Sequence, residues 1–238
     1  MKIDFAGKTV LVAGGTGGLG RAVSLAFLAE GAKVVVPYRN DAEFEELKHA
    51  AGERGALLVG RALDVLDENA VSRFVEETGA IDVLVNTVGA YVGGVELWKL
   101  TAADLDRMLS LNLGSGFVLA KAVLPGMLQR GRGAVVNVSA KAALDHGAGA
   151  SAYAASKAAS LAMMDSLAAE TRGKGVRVNS VLPSIIDTKA NREAMPGAKF
   201  DAWPKPEDIA KVILFLASDA AKVVHGAAVT VYGVYGDS

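Results

Sequence analysis

Short β-branched runs alternate with stretches of helical periodicity along almost the whole chain. The runs are Lys8–Ala13, Lys33–Tyr38, Leu57–Leu63, Ile81–Asn86, Ala134–Val138, Arg177–Leu182 and Ala227–Val231. Between them, apolar positions recur at helical spacing over Gly18–Glu30, Asp41–Gly52, Glu68–Thr78, Ala102–Gln129, Ser151–Arg172 and Pro206–Ser218. Val34, Val35 and Val36 are apolar at consecutive positions, as are Val83, Leu84 and Val85. A strand of that kind needs cover on both faces, which a parallel sheet between two helix layers supplies. The alternation therefore predicts an α/β fold: a doubly wound parallel sheet of seven strands flanked by helices. Asn40 before Asp41, with Glu43 placed to complete a capping box, predicts a helix start, and Thr101 with Asp104 predicts another. Residues 188–204, which include Pro196, Gly197 and Pro204, read as a loop or a short mobile helix. No linker, repeat or composition shift divides the sequence, so residues 1–238 read as one domain.

Composition narrows the function. Hydrophobic residues make up 51% of the chain, enough for a large core, and 27 glycines suit tight turns and close helix packing. Lysine plus arginine is 25 against 26 for aspartate plus glutamate, which argues against a general nucleic-acid or anionic-membrane surface. Cysteine is absent, which excludes disulfides, thiolate metal sites and cysteine nucleophiles. His49, His146 and His225 lack metal-ligand spacing, and each reads as a surface or loop residue, so no metal is expected. No run of 18 apolar residues predicts a membrane span, and Met1–Phe5 lacks a leader pattern; a soluble, cytoplasmic protein is the expectation.

Two local patterns carry chemistry. Gly14, Gly18 and Gly20 fall between the first strand and the first helix, in a loop that also holds Thr16 and Leu19. Free N–H groups at such a helix start attract phosphate, and glycine lets the backbone approach it. Tyr153 and Lys157 are four residues apart on a predicted helix, hence on one face. A phenol has a pKa of about 10; a neighbouring ammonium favours the phenolate and would make Tyr153 a general acid or base.

Together these patterns resemble the short-chain dehydrogenase/reductase family, and the resemblance covers nearly the whole chain. It implies a Rossmann-like fold and hydride transfer between a nicotinamide dinucleotide and a carbonyl or secondary alcohol. It implies Asn112, Ser139, Tyr153 and Lys157 as the catalytic set. Tyr153 would donate the proton, Ser139 would fix the substrate oxygen, and Lys157 would lower the Tyr153 pKa and bind the ribose. Asn112 would hold a water beside Lys157. Gly14, Thr16, Gly18, Leu19, Gly20, Arg39, Asp64, Val65, Asn86, Gly89, Pro183, Ile186 and Thr188 would hold the cofactor along with Tyr153 and Lys157; Asp64 would meet the adenine, and residues 183–188 the nicotinamide. Bland roles stay open: Ser139 as a cap, Asn112 as a structural amide. The chain departs from the family pattern at Ala13, where a hydroxyl that could brace the loop is missing, and at Thr87, Val88 and Ser184.

The second strand ends in Tyr38 and Arg39, where an NAD site places an acid about 20 residues beyond the glycine loop. Without that acid, and with a planar cation beside it, the expectation is NADP, with NAD less favoured. Asp41 is the nearest acid, and its place suits capping. Ala90, Tyr91, Lys141, Leu144, His146, Ile185 and Trp203 would surround the substrate, with an open cleft for a ketone or 3-oxoacyl-type compound. Lys141 would meet an acidic substrate group or stay a solvated loop lysine. Small residues along Ser151–Arg172 let helices approach closely, and the resemblance implies that this helix and Ala102–Gln129 pair across a two-fold axis in a homodimer or homotetramer. Two other readings compete: a non-catalytic dinucleotide-binding regulator or scaffold, disfavoured because Tyr153 and Lys157 are both present, and an epimerase or dehydratase on a nucleotide sugar, which usually carries a larger C-terminal region.

Overall fold

A computed structural model describes residues 3–233. Seven parallel strands form one sheet: β1 (Thr9–Ala13), β2 (Lys33–Tyr38), β3 (Leu58–Ala62), β4 (Val83–Asn86), β5 (Gly133–Val138), β6 (Val176–Pro183) and β7 (Ala228–Val231). Their spatial order is β3-β2-β1-β4-β5-β6-β7. The order reverses direction between β1 and β4, so the crevice of a doubly wound sheet opens above their C-terminal ends. The helices are α1 (Gly18–Ala29), α2 (Asp41–Ala51), α3 (Glu68–Thr78), α4 (Ala102–Leu109), α5 (Ser115–Arg130), α6 (Ser151–Thr171), α7 (Lys189–Ala194) and α8 (Pro206–Ala217).

Strand alternation sorts the core into two layers. Val10, Val12, Val34 and Val36 face Phe27 and Leu28 of α1 and Ile209 and Ile213 of α8. Leu11, Ala13, Val35, Leu84 and Val135 face the other way, onto Val71 of α3, Leu119 and Met127 of α5 and Met164 of α6. Successive side chains on a strand point to opposite faces, so the unbroken apolar runs fill both layers at once.

The elements follow the sequence pattern to within two residues at their ends, with informative differences. The stretch expected as one helix from Ala102 is continuous to Arg130 but changes winding at Ser110–Gly114, a single π turn that carries Asn112. Such turns widen the helix locally and often mark functional positions. This 29-residue helix is long and apolar enough to cross a membrane by length and composition alone, a test that the core helix of a protein also passes. Val118, Leu119, Val123, Leu124 and Met127 are spent on the core instead. Residues 188–204 are more ordered than expected. They contain α7 and a short 3-10 turn at Phe200–Ala202, and Arg192 donates to Asp187 at 2.8 Å and lies over the Phe200 ring. Thr101 and Asp104 form the predicted capping box. Asn40 caps α2 by accepting from the Ala42 N–H, but Glu43 does not turn back to it; its carboxylate accepts from the Thr16 hydroxyl at 3.0 Å, because the glycine loop lies within its reach. His225 is half-buried rather than a surface residue: Nδ1 accepts from the Val178 N–H and Nε2 donates to the Ala168 carbonyl.

Phe27 is fully buried against Phe5, with ring centroids 4.8 Å apart. Phe27→Ala is expected to lower unfolding free energy by about 3–5 kcal/mol in urea titrations, through lost transfer energy and the cavity left behind.

Candidate active site

The glycine loop is shaped by what a side chain would strike. Gly14, at φ 75°, accepts from the Gly17 N–H at 3.0 Å, and a Cβ on Gly20 would sit 2.0 Å from the Gly14 oxygen. A Cβ on Gly18 would meet the Thr188 methyl at 2.9 Å, which places Thr188 over the loop. Ala13 brings no hydroxyl, but two others brace this turn. Thr87 Oγ1 donates to the Ala13 carbonyl at 2.8 Å, and Ser24 Oγ donates to the Gly15 carbonyl at 3.2 Å. Two of the departures, at Ala13 and Thr87, thus compensate each other across β1 and β4. The N-cap Gly17 has no side-chain cap, so the first N–H groups of α1 face the crevice without a side-chain acceptor. A bare backbone cradle at a helix N-terminus fits a pyrophosphate.

Tyr153 and Lys157 project from the first turns of α6, which two reciprocal bonds fasten to β5. Ser139 Oγ donates to the Lys157 carbonyl at 3.0 Å, and Lys157 Nζ donates to the Val138 carbonyl at 3.1 Å. The π turn swings Asn112 inward, where Nδ2 donates to the Ala90 carbonyl at 3.0 Å and to Ser156 Oγ at 2.9 Å. Its Oδ1 accepts from the Ala90 N–H at 2.9 Å. Ser156 in turn donates to the Tyr153 carbonyl at 2.7 Å. A Cβ on Gly89 would lie 2.9 Å from Asn112 Oδ1 and 3.1 Å from Lys157 Nζ, so a side chain there would have to displace those groups. These bonds gather the side chains of Asn112, Ser139 and Lys157 at the C-terminal end of β4 and β5, and Ser156 ties the backbone of Tyr153 to the same group.

The Tyr153 hydroxyl has no hydrogen-bond partner among the described residues, and its ring meets Tyr91 edge-on with centroids 4.9 Å apart. Its pKa is pushed up to about 12, by burial first and then by Tyr91. That reverses the expected lowering by Lys157. Burial sets the direction here, and the Lys157 ammonium is turned toward the Val138 carbonyl. Lys157 is pushed down to about 8 by its own burial.

Other expected residues take different places. Asn86 is buried and faces inward. It donates to Asn137 Oδ1 at 3.1 Å and accepts from the Val88 N–H, while Asn137 donates to Ser160 Oγ at 3.1 Å. This ladder under the site escaped the sequence reading, although the in-register pair Asn86 and Asn137 was its signal: two amides ending two apolar runs. Leu19 and Val65 point into the core, leaving only their backbone toward the crevice. Asp64 is exposed, with its carboxylate accepting from the Leu66 N–H. Arg39 is exposed just beyond β2 and makes no ion pair among the described residues. Pro183 ends β6, the Ile186 carbonyl accepts from Asn191 Nδ2, and Thr188 caps α7. Ser184 donates to the Tyr232 carbonyl at 3.0 Å.

Around the expected substrate cleft, Tyr91 and Leu144 are 65% and 55% exposed, which leaves apolar surface beside Tyr153. Trp203, expected at the pocket, is buried against Phe200 instead. Lys141 pairs with Asp145 at 3.6 Å and lies 5.5 Å above the Tyr232 ring, neither solvated alone nor free for an acidic ligand. A cavity of about 570 Å³, lined by Lys8, Asp82, Arg132 and Arg177, opens at the opposite edge of the sheet and contains none of the candidate residues. No cluster of three or more histidine, aspartate or glutamate side chains suited to a metal occurs among the described residues.

Residues 8–199 match the model of the short chain dehydrogenase family. D-threitol dehydrogenase of Mycolicibacterium smegmatis is 36% identical, over 96% of this chain and 93% of that protein. The 3-oxoacyl-(acyl-carrier-protein) reductase of Thermotoga maritima is 34% identical, over 95% of this chain and 97% of that protein. Among solved structures, ElxO with NADP bound superposes with a TM-score of 0.89 at 27% identity, covering 96% of this chain and 98% of that one. Sequence, sheet order and relatives agree: the chain belongs to the short-chain dehydrogenase family and is an NAD(P)-dependent oxidoreductase that transfers hydride.

Proposed function

We propose that the chain reduces ketones or 3-oxoacyl-type compounds to secondary alcohols with NADPH, using Asn112, Ser139, Tyr153 and Lys157 as its catalytic set. The observation that supports this reading is the hydrogen-bonded group that ties Asn112, Ser139 and Lys157 to the helix carrying Tyr153. When bound, the dinucleotide supplies hydride at its nicotinamide C4 and, once oxidised, a positive ring charge. Tyr153 stays protonated well above neutrality, so it enters the reducing direction as a donor. Its hydroxyl, unpaired within the chain, is available to the substrate oxygen as charge develops there. Ser139 supports that oxygen by turning its hydroxyl from the Lys157 carbonyl, a short rotation for a serine. Lys157 holds the nicotinamide ribose and replenishes the proton on Tyr153, and Asn112 keeps the loop at Ala90 and helix α6 in register around it.

Gly14, Thr16, Gly18, Leu19 and Gly20 would cradle the pyrophosphate end, with Asp64, Gly89 and only the backbone of Val65 and Asn86 along the adenine and ribose side. Pro183, Ile186 and Thr188 would close over the nicotinamide; the contact of Gly18 with Thr188 supports that closure. NADP is favoured over NAD because Tyr38 replaces the expected acid and Arg39 has no ion pair among the described residues. NADP in the ElxO structure agrees with that choice. Residues 1–238 act as one catalytic unit in the cytoplasm, where these dinucleotides are abundant, and the chain assembles as a homodimer or homotetramer. Leu105 and Phe117, exposed on α4 and α5, support that assembly.

Tyr153→Phe is expected to retain dinucleotide binding while kcat falls by about 10²- to 10⁴-fold, measured by steady-state kinetics on a ketone panel; retained turnover would remove the proton-donor role. The kcat/KM ratio should favour NADPH over NADH, and the opposite order would refute the NADP assignment. Lys157 has a further consequence for stability. Its pKa falls from 10.5 unfolded to about 8 folded, so between these values the unfolded chain holds more protons and stability rises with pH. Lys157→Met is therefore expected to raise stability at about pH 7, with the gain shrinking toward about pH 10, measured by urea unfolding.

A further inference from the structure

We propose that Glu43 is a specificity-determining residue at the adenosine end of the crevice, where its carboxylate opposes the 2′-phosphate that Arg39 attracts. The inference rests on the assignment of Arg39 to the ribose end given above. Thr16 lies in the glycine loop and Glu43 in the first turn of α2, yet the Thr16 hydroxyl donates to Glu43 Oε2 at 3.0 Å across 27 positions of sequence. Asn40 already caps α2 alone, so Glu43 is free for this second task. The result is a carboxylate held against the loop that cradles the phosphates, three residues beyond the cap that follows Arg39.

The surrounding charge is acidic. Asp41, Glu43, Glu45 and Glu46 fall within the first six residues of α2. Glu46 pairs with Arg21 at 3.2 Å and Glu45 with Lys48 at 4.0 Å, whereas Asp41 and Glu43 pair with no cation among the described residues. Arg39 thus precedes a helix turn that holds two carboxylates without a cation partner among the described residues. A ribose 2′-hydroxyl can donate to a carboxylate. A phosphate monoester carries about −1.5 to −2 charge near neutrality and offers only acceptors, so the same carboxylate repels it. The phosphate would also compete with Glu43 for the Thr16 hydroxyl, which has one proton to give. Glu43 favours the plain ribose, Arg39 favours the phosphate, and their balance sets the discrimination.

The test is isothermal titration calorimetry of NADP⁺ and NAD⁺ on the full chain and on Glu43→Gln. Glutamine keeps the shape and an oxygen that can accept from Thr16, and it removes only the charge. The expected result is an NADP⁺ affinity about five- to tenfold higher in the variant, with NAD⁺ changed by less than about twofold. That gain should shrink when salt is raised from about 50 to 500 mM, because exposed charges are screened. An unchanged ratio of the two affinities, or a rise that salt leaves intact, would overturn the role of Glu43. The wild-type ratio reports separately on the NADP assignment. A wild type that prefers NAD⁺ refutes that assignment, while the shift in Glu43→Gln still decides this one.

Discussion

Helix α6 is fastened to β5 by two hydrogen bonds that run in opposite directions, Ser139 Oγ to the Lys157 carbonyl and Lys157 Nζ to the Val138 carbonyl. The rest of the site takes its position from this junction. It fixes the first turns of α6, and so Tyr153, over the C-terminal edge of the sheet. Asn112 then connects the same helix to the β4 loop through Ser156 and Ala90. At Gly89, Lys157 and Asn112 occupy the space a side chain would need. Residues expected to act on substrate are also the ones that hold three elements together.

That economy has an electrostatic cost. A buried ammonium and a buried phenol both shift toward their neutral forms, Lys157 down and Tyr153 up. The protein's own residues make Tyr153 a reluctant acid with a well-retained proton, rather than an activated phenolate. The site trades stability near neutrality for a lysine whose charge is responsive to its surroundings.

At the other end of the crevice the charges are exposed and arranged differently. Arg39 lies at the tip of β2, and the acidic first turn of α2 faces the glycine loop through Thr16 and Glu43. Carboxylates at a helix N-terminus are stabilised by the helix dipole, so the acids of α2 serve the helix whatever the cofactor. The proposed cofactor selection rests on a cation that follows the strand and acids that the helix prefers.

Much of the fold was legible in the order of residues because strand and helix periods differ and a strand covered on both sides must be apolar throughout. Val34, Val35 and Val36 specify a central parallel strand on their own terms, and Thr101 with Asp104 specifies a helix start by local bonding. The spacing of Tyr153 and Lys157 also fixed that both lie on one helix. The sequence could not show where their polar ends go. Asn86 was expected to face the cofactor and instead joins a buried amide ladder, because only packing reveals Asn137 beside it. Glu43 was expected to close a capping box and instead reaches Thr16, a partner 27 residues distant. Trp203 turned inward onto Phe200. Periodicity and local capping depend on neighbours in the chain, so the sequence by itself determined the elements and the kind of sheet. Hydrogen-bond partners and pKa shifts depend on burial and on groups brought together across the chain, so the direction of the Tyr153 shift was decided only by the tertiary structure.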